Sequence, residues 1–459
     1  MWFSFLCSFS FLILGAVHHL NKLSSFWDPP YFSGLPGKAL VTASGENWLG
    51  DWERRTKLTI NYSGKIDTSL TNFPILVYLG YNSSGINSQD MTRVFDELQS
   101  DANRKKIAVT TSDGSTQCKV EIEKWDDTNE QACLWVKVPT VSSSANTDLY
   151  LYYDSSKADN TTYVGDPGSA PAQDVWSNGF VAVYHMNDGA DTSHISDSTS
   201  GQHTGTKVGA NEPYEITSGQ IGEAQSFDGV NDYISIPDHD DFSYVTTDAL
   251  TVSFWRSLST LKNTCTFANN NGYIRYFGKS DSGQSEWGFV QYNNDYYAYP
   301  NNPYHDDEDT DNRVLRTGWY TWSLAGGQGA GDYFQPGLHD GSNPNPAPDI
   351  SVDQWIYITG KMSSDGYISV YRDGEIYHYP VYWPTYLTGQ DPPNQYVTPG
   401  NGTAPVKIGT RDSVSTSGIL YGRMDEIRIS NVFRSEAWET ASYYSGNDDL
   451  LTFGPEELY

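Results

Sequence analysis

Residues Gln354-Trp-Ile-Tyr-Ile-Thr-Gly-Lys-Met362, Asp365-Gly366 and Tyr367-Ile-Ser-Val-Tyr-Arg-Asp-Gly-Glu375 decide the fold class. Apolar and polar residues alternate on both sides of Asp365-Gly366, the pattern of a chain whose successive side chains point to opposite faces of a sheet. Asp-Gly pairs supply the left-handed backbone positions that a tight reversal between antiparallel strands requires. The stretch predicts a meander: a strand over 355–362, a hairpin at Asp365-Gly366, a strand over 366–372, and a second reversal at Arg372-Asp-Gly-Glu375.

The same signature recurs outward from this stretch. Residues 180–185, 225–227, 232–236, 250–255, 287–292, 406–409 and 422–429 read as strands. Short strands separated by turn residues at this density predict an antiparallel sandwich. In the first half, 56–62, 73–79, 106–110, 117–125, 132–138 and 148–153 carry the same pattern, and only 90–99 resembles a short helix. No repeat with a period of roughly 20–50 residues is visible, which argues against a solenoid or propeller.

The expected fold class is therefore all-β, with two β-sandwich domains. Residues 155–173, with Gly165-Asp-Pro-Gly168 and Ala170-Pro171, give the strongest internal linker signal and separate 48–154 from 174–450. Residues 21–47 read as an entry arm and 451–459 as a tail.

Against 57 Asp and Glu the 459 residues carry 28 Lys and Arg, a net charge of −29. So acidic a chain disfavours nucleic acid or an anionic membrane as partner. The carboxylates offer oxygen donors for Ca²⁺, although a solvated acidic surface accounts for most of them.

Residues 2–17 form an apolar run of signal-peptide length, with Gly15 and Ala16 near its end. The run, taken with Leu20 as a leader over 1–20, predicts export to the cell surface or the medium; a buried strand or helix is the competing reading, because no basic residue precedes the run. No later segment reaches about 18 uninterrupted apolar residues, so no membrane span is expected in the mature chain.

Beyond Cys7 in the leader stand Cys118, Cys133 and Cys265, an odd count that speaks against a disulfide framework. In a hairpin turning at 126–130, symmetric register sets Cys133 opposite Lys124, away from Cys118. The three thiols are expected as small buried hydrophobes.

Four motifs in order carry a resemblance: Gly222-Glu-Ala-Gln-Ser-Phe-Asp-Gly-Val-Asn-Asp-Tyr-Ile234, Leu250-Thr-Val-Ser-Phe-Trp255, Gln354-Trp-Ile-Tyr-Ile-Thr-Gly360 with Tyr371-Arg-Asp-Gly374, and Gly422-Arg-Met-Asp-Glu-Ile-Arg-Ile429. Over most of 175–447 the chain resembles the laminin-G-like group of concanavalin A-like lectin/glucanase domains, which implies a jelly-roll sandwich. Through Trp52-Glu-Arg-Arg-Thr-Lys-Leu-Thr-Ile60, Leu70-Thr-Asn-Phe-Pro-Ile-Leu-Val77, Leu134-Trp-Val-Lys-Val-Pro139 and Leu149-Tyr-Leu-Tyr-Tyr153, the first half resembles a domain of unknown function that commonly precedes laminin-G-like domains in secreted bacterial and archaeal proteins. The resemblance implies architecture and location, and no reaction. The chain departs from the laminin-G-like pattern by an insertion over 269–350.

That insertion holds the candidate ligand surface. Sugar binding needs an aromatic platform with amides or carboxylates beside it, and Tyr296, Tyr297, Tyr299, Trp319, Trp322 and Tyr333 are interleaved with Asn293 and Asp295. The competing reading is that these rings pin a long loop onto the sandwich. For Ca²⁺, two clusters qualify by composition: Asp238, Asp240 and Asp241, and the run 306–311. Asp307, Asp309 and Asp311 imitate the start of an EF-hand loop, but Asn312 and Gly318 stand where glycine and glutamate belong, which leaves only an irregular site. The laminin-G-like resemblance implies a structural Ca²⁺ at Asp425; an ion pair with Arg423 is the alternative.

Glycosidases that share the concanavalin A-like fold need two facing carboxylates. Asp425-Glu426 are adjacent, so on a regular strand they point to opposite faces. Glu121-Ile-Glu123-Lys-Trp-Asp126 reads as the solvent face of a hairpin with Val120 and Ile122 inward. No nucleophile-elbow, zinc-protease or phosphate-loop motif occurs. The chain is expected to be no enzyme but a carbohydrate-binding or adhesive surface protein, with Ca²⁺ as a structural ion, glycans or surface proteins as partners, and self-association open. A structural subunit of an envelope, filament or particle is the alternative, and a glycoside hydrolase the third.

Overall fold

The computed structural model describes residues 41–42, 47–209, 212–243, 249–259, 273–281, 284–293, 315–322, 329–334, 351–363, 368–376, 379–382, 401–410 and 419–459. The leader, the arm up to residue 40, Cys265 and the Asp365-Gly366 turn lie outside these residues.

The first lobe is a sandwich of two sheets. One has five strands in the order Val41–Thr42, Leu451–Leu458, Arg54–Ile60, Thr147–Tyr153, Ile107–Thr111; the other has four, Leu70–Leu79, Gln131–Val141, Val120–Asp126, Val164–Gly165. Alternating apolar residues fill the gap between them, among them Leu58, Ile60, Phe73, Ile75, Val77, Val120, Ile122, Leu134, Val136, Leu149 and Leu151. The predicted short helix is Thr92–Leu98, which buries Val94, Phe95 and Leu98. Lys124 stands opposite Cys133 across the hairpin, and Cys118 and Cys133 are free and buried, as the register predicts.

In the second lobe a nine-stranded sheet faces an eight-stranded one. The first runs His194–Ile195, Gly205–Val208, Tyr233–Ile236, Val406–Ile408, Tyr273–Asp281, Gln284–Asn293, Leu315–Trp322, Gly329–Phe334, Tyr379–Tyr382; the second runs Tyr214–Ile216, Ala224–Asp228, Tyr421–Ser430, Leu250–Leu258, Trp355–Met362, Ile368–Arg372, Glu375–Ile376. Strand Phe180–Tyr184 also pairs with Tyr421–Ser430. Aromatic rings set the gap between the sheets: Phe254 meets Phe289 edge to face at 4.8 Å and Phe277 at 5.3 Å. The reversal at Asp373-Gly374 has both residues in the left-handed region, at φ 53° and 79°, which Asp-Gly adopts at low cost.

Two boundaries differ from expectation. The linker 155–173 is structured: it contains strand Val164–Gly165, and helix Ala170–Val175 starts inside it. The tail 451–459 is strand Leu451–Leu458, seated between Val41–Thr42 and Arg54–Ile60 in the first lobe's sheet. Leu451 and Phe453 enter the first lobe's core, and that burial holds the segment there. Helix Glu436–Gly446, capped by the Ser435 hydroxyl, carries the chain back, and its Trp438 packs against Phe73 at 4.9 Å. The second lobe is thus inserted between two strands of the first, and residues 41–459 form one compact unit. No described helix is long and apolar enough to cross a membrane.

Candidate functional site

A cluster of buried titratable groups lies where the lobes meet. Strand Val120–Asp126 turns Val120 and Ile122 into the first lobe's core, and so turns Glu121 and Glu123 to the other face. That face is covered by the second lobe, so both glutamates are buried, contrary to the solvent-face reading. Alternation places a residue on a face but does not say what packs over it.

From the second lobe come His185, directly after strand Phe180–Tyr184, and Asp425 and Glu426 on strand Tyr421–Ser430, all buried. Between Asp425 and Arg428 that strand spends one more residue than its partner, and Glu426 takes a φ of 50°. This β-bulge breaks the strict alternation and leaves both adjacent carboxylates buried. Strict alternation would set them on opposite faces; at the bulge both are buried.

His185 is the centre of the cluster. Its Nδ1 lies 2.5 Å from Glu426 Oε1 and 3.4 Å from Glu123 Oε2, and its Nε2 lies 3.1 Å from Glu121 Oε2. Two tryptophans contribute donors: Trp135 Nε1–H to Glu123 Oε2 at 2.6 Å, and Trp176 Nε1–H to Glu121 Oε2. Arg428 donates to Glu426 Oε2. Asp425 Oδ2 accepts the Ile221 N–H at 2.9 Å. Glu121 Oε1, Glu123 Oε1 and Asp425 Oδ1 are buried without a hydrogen-bond partner.

Electrostatics follow from burial and proximity. Burial, then Glu426, push the Glu123 carboxyl up to about 8, and the same two causes hold Asp425 well above the usual carboxylate range. At Glu426 burial is outweighed by His185 and Arg428, and the group is lowered. Burial would lower His185, but Glu426, Glu121 and Glu123 together hold its imidazole well above its ordinary value. The cluster is a buried assembly of carboxyl groups around one imidazole.

Asp425 does not pair with Arg423, which instead meets Asp353 at 2.9 Å on the surface. The aspartates grouped by composition are also separated by their partners: Asp238 pairs with Lys279, while Asp241 Oδ2 lies 3.0 Å from His203 Nε2 and 3.2 Å from His239 Nδ1. Two groups of described residues place donor atoms close enough for one ion, Glu123 with His185 and Glu426, and His203 with His239 and Asp241. Both contain an imidazole nitrogen, so neither is the all-oxygen shell that calcium prefers, and Asp425 belongs to neither.

Asp295, Tyr296, Tyr297, Tyr299, Asp307, Asp309 and Asp311 lie outside the described residues. Asn293, Trp319, Trp322 and Tyr333 are placed by backbone register: Asn293 is opposite Leu315, Trp319 opposite Phe289 and Asp332, Trp322 opposite Gly329, and Tyr333 opposite Gly318 and Tyr379. The first lobe carries a cleft of about 340 Å³ lined by Asp101, Arg104, Ile122, Glu123, Trp125, Asp166 and Pro167, in which Asp166 pairs with Arg104.

The sequence reading placed Glu121 and Glu123 on a solvent face and did not single out His185 as a site residue. The available signals were His185 closing the apolar run Phe180-Val-Ala-Val-Tyr, and Glu121 and Glu123 sharing a strand face two residues apart.

The family described as Domain of unknown function (DUF2341) matches residues 103–203, a segment that includes Glu121, Glu123, Trp135, Trp176 and His185. No curated protein matches the chain. Similar solved structures include the binding domain of Paraclostridial Mosquitocidal Protein 1, at 12% identity and a TM-score of 0.38, covering 58% of this chain and 52% of that one. They also include the botulinum neurotoxin serotype G binding domain, at 11% identity and a TM-score of 0.37, covering 58% and 50%. The chain spans about half the length of these structures.

Proposed function

We propose that this protein is a non-catalytic, exported binding protein with a carbohydrate-binding or adhesive role, and that the insertion forms its recognition surface. The observation that carries this reading is that the described residues of the insertion at 273–281, 284–293, 315–322 and 329–334 are strands. Strands Leu315–Trp322 and Gly329–Phe334, followed by Tyr379–Tyr382, continue the nine-stranded sheet beyond Gln284–Asn293 in antiparallel register. These strands carry Trp319, Tyr320, Trp322, Tyr333, Phe334, Tyr379 and Tyr382, and aromatic rings carried on sheet suit stacking against the apolar faces of sugars. The burial of Glu121, Glu123, Asp425 and Glu426 supports a non-catalytic role, because acid–base hydrolysis needs its carboxylates beside a substrate groove.

A glycan array with the purified protein, run with and without EGTA, tests the reading; the chelator arm is included because the proposal keeps a structural calcium ion among the 307–311 carboxylates. Saturable binding lost in Trp319→Ala or Trp322→Ala supports a lectin. No binding, together with large assemblies by light scattering, would move the assignment to a structural subunit of an envelope or particle. Release of reducing sugar from a bound glycan would move it to a hydrolase.

A further inference from the structure

The seam between the lobes has the form of a metal site. Where an imidazole ligates a metal through one nitrogen, its other N–H is usually donated to a carboxylate that fixes the ring and its tautomer. His185 has this arrangement: Nε2 is 3.1 Å from Glu121, and Glu121 is itself held by the Trp176 N–H. Nδ1 then faces Glu123 and Glu426, and the three donor atoms lie within 4.8 Å of one another.

The second observation is what the carboxylates lack. Glu121 Oε1 and Glu123 Oε1 are buried with no partner, and Glu123 and His185 expose none and 2% of their side chains. Buried anions are ordinarily paired or bound to a metal, because leaving one oxygen unsatisfied costs about 1–3 kcal/mol or more. Room is kept at this place: a Cβ on Gly222, whose φ is 57°, would come within 2.7 Å of Glu123 Oε1. Trp135 and Arg428 orient Glu123 and Glu426 from behind, as outer partners of ligating carboxylates do.

We propose that Glu123, His185 and Glu426 bind one divalent transition-metal ion of the zinc or manganese class, with Glu121 as a positioning residue behind the imidazole, and that the ion joins the two lobes. One nitrogen with carboxylate oxygens suits such ions and is the wrong shell for calcium. Glu123 comes from the first lobe and His185 and Glu426 from the second, so the ion would tie elements far apart in sequence. The site is independent of the recognition surface proposed above. The competing structure is an imidazolium clamped between Glu121 and Glu426 with no ion.

The full chain is expressed in medium supplemented with Zn²⁺ or Mn²⁺, desalted, and its metal content measured by inductively coupled plasma mass spectrometry. The expected result is one ion per chain, retained in His239→Ala and absent from Glu123→Gln and His185→Gln. Glu121→Gln is expected to retain the fold and lose about 10–100-fold in affinity, the usual cost of removing a carboxylate behind a ligating imidazole. Should the seam variants fail to fold, Co²⁺ substitution of the His239→Ala protein decides: d–d bands typical of nitrogen and oxygen ligation are expected. Protein that retains no ion from either medium and shows no Co²⁺ bands, or whose ion disappears in His239→Ala, overturns the proposal in favour of the clamped imidazolium.

Discussion

The guanidinium carbon of Arg428 lies 4.2 Å from the centroid of the Trp135 ring, a cation from the second lobe resting on an indole of the first. The same indole donates to Glu123 and the same guanidinium to Glu426, so one stacked pair orients two carboxylates at the centre of the seam. Trp135 also packs on Trp176 and is fully buried. The lobes therefore meet through a buried, polar core, where removal of a single member leaves charges without partners.

Trp135→Ala is expected to destabilise the protein by about 3–5 kcal/mol, the range for emptying a buried tryptophan site. Trp135→Phe keeps most of the ring but removes the N–H that Glu123 accepts, for an expected loss of about 1–2 kcal/mol. Urea unfolding of both variants measures the difference. No loss in Trp135→Phe would show that packing alone matters and that the hydrogen bond to Glu123 contributes nothing.

A second buried pair lies within the second lobe. Lys279 Nζ sits 2.8 Å from Glu286 Oε1 with neither side chain exposed, and also donates to the carbonyls of Gly402 and Ala404. Lys279→Met leaves Glu286 as an unpaired buried charge, for an expected loss of about 3–5 kcal/mol. Adding Glu286→Gln should recover part of it, because the uncompensated charge is then gone. A double variant no more stable than Lys279→Met would place the cost in the lost carbonyl contacts.

Asp448 should make stability depend on pH. Burial raises its carboxyl to about 7, against the Gly85 N–H that it accepts at 2.7 Å and with help from Asp449. Between its ordinary value of 3.8 and about 7, the unfolded chain gives up a proton that the folded chain keeps. The contribution of this residue is thus full below the lower value and is lost as pH rises through the upper one. Asn accepts the same N–H and tolerates the φ of 55° found here. Asp448→Asn should therefore gain about 1–2 kcal/mol at pH values above 7, after discounting for solvent screening, and little near pH 4. Unfolding curves at the two pH values check this; an equal effect at both would place the cause elsewhere.

The strands were legible wherever local alternation decides them. The strand predicted over 355–362 is Trp355–Met362, and Lys124 and Cys133 pair as the symmetric turn requires. The site was not legible, because its chemistry depends on what covers a face. Glu121 and Glu123 sit where alternation puts them, yet a second lobe some 60 residues further along the sequence supplies the imidazole over them. The burial of both Asp425 and Glu426 was not legible, because a bulge adds one residue to a strand without any local mark in the sequence. The pairing of Arg423 was missed for a related reason: Asp353, its partner, belongs to a loop about 70 residues earlier.

The last strand gives the sharpest test of the architecture. Leu451-Thr-Phe-Gly-Pro-Glu-Glu-Leu458 has little strand signal after Phe453, since Gly454 and Pro455 interrupt it. Its partners, Arg54–Ile60 and Val41–Thr42, stand about 400 residues away in sequence. It nevertheless lies inside the five-stranded sheet, with Leu451 and Phe453 buried in the first lobe's core. A chain ending after Leu450 would leave the hydrogen-bonding edge of Arg54–Ile60 unpaired and its apolar neighbours open to water, a template for aggregation. It is expected to lose the cooperative unfolding of the first lobe and to be cleaved by protease within 54–153, while the second lobe's sheets resist for longer. Supplying residues 451–458 as a separate peptide should restore part of the protection, because the vacant edge accepts a strand. Limited proteolysis read by mass spectrometry measures both effects. If the truncated chain resists protease as well as the full one, the segment is a tail after all and the insertion of one lobe into the other is not what holds the first lobe together.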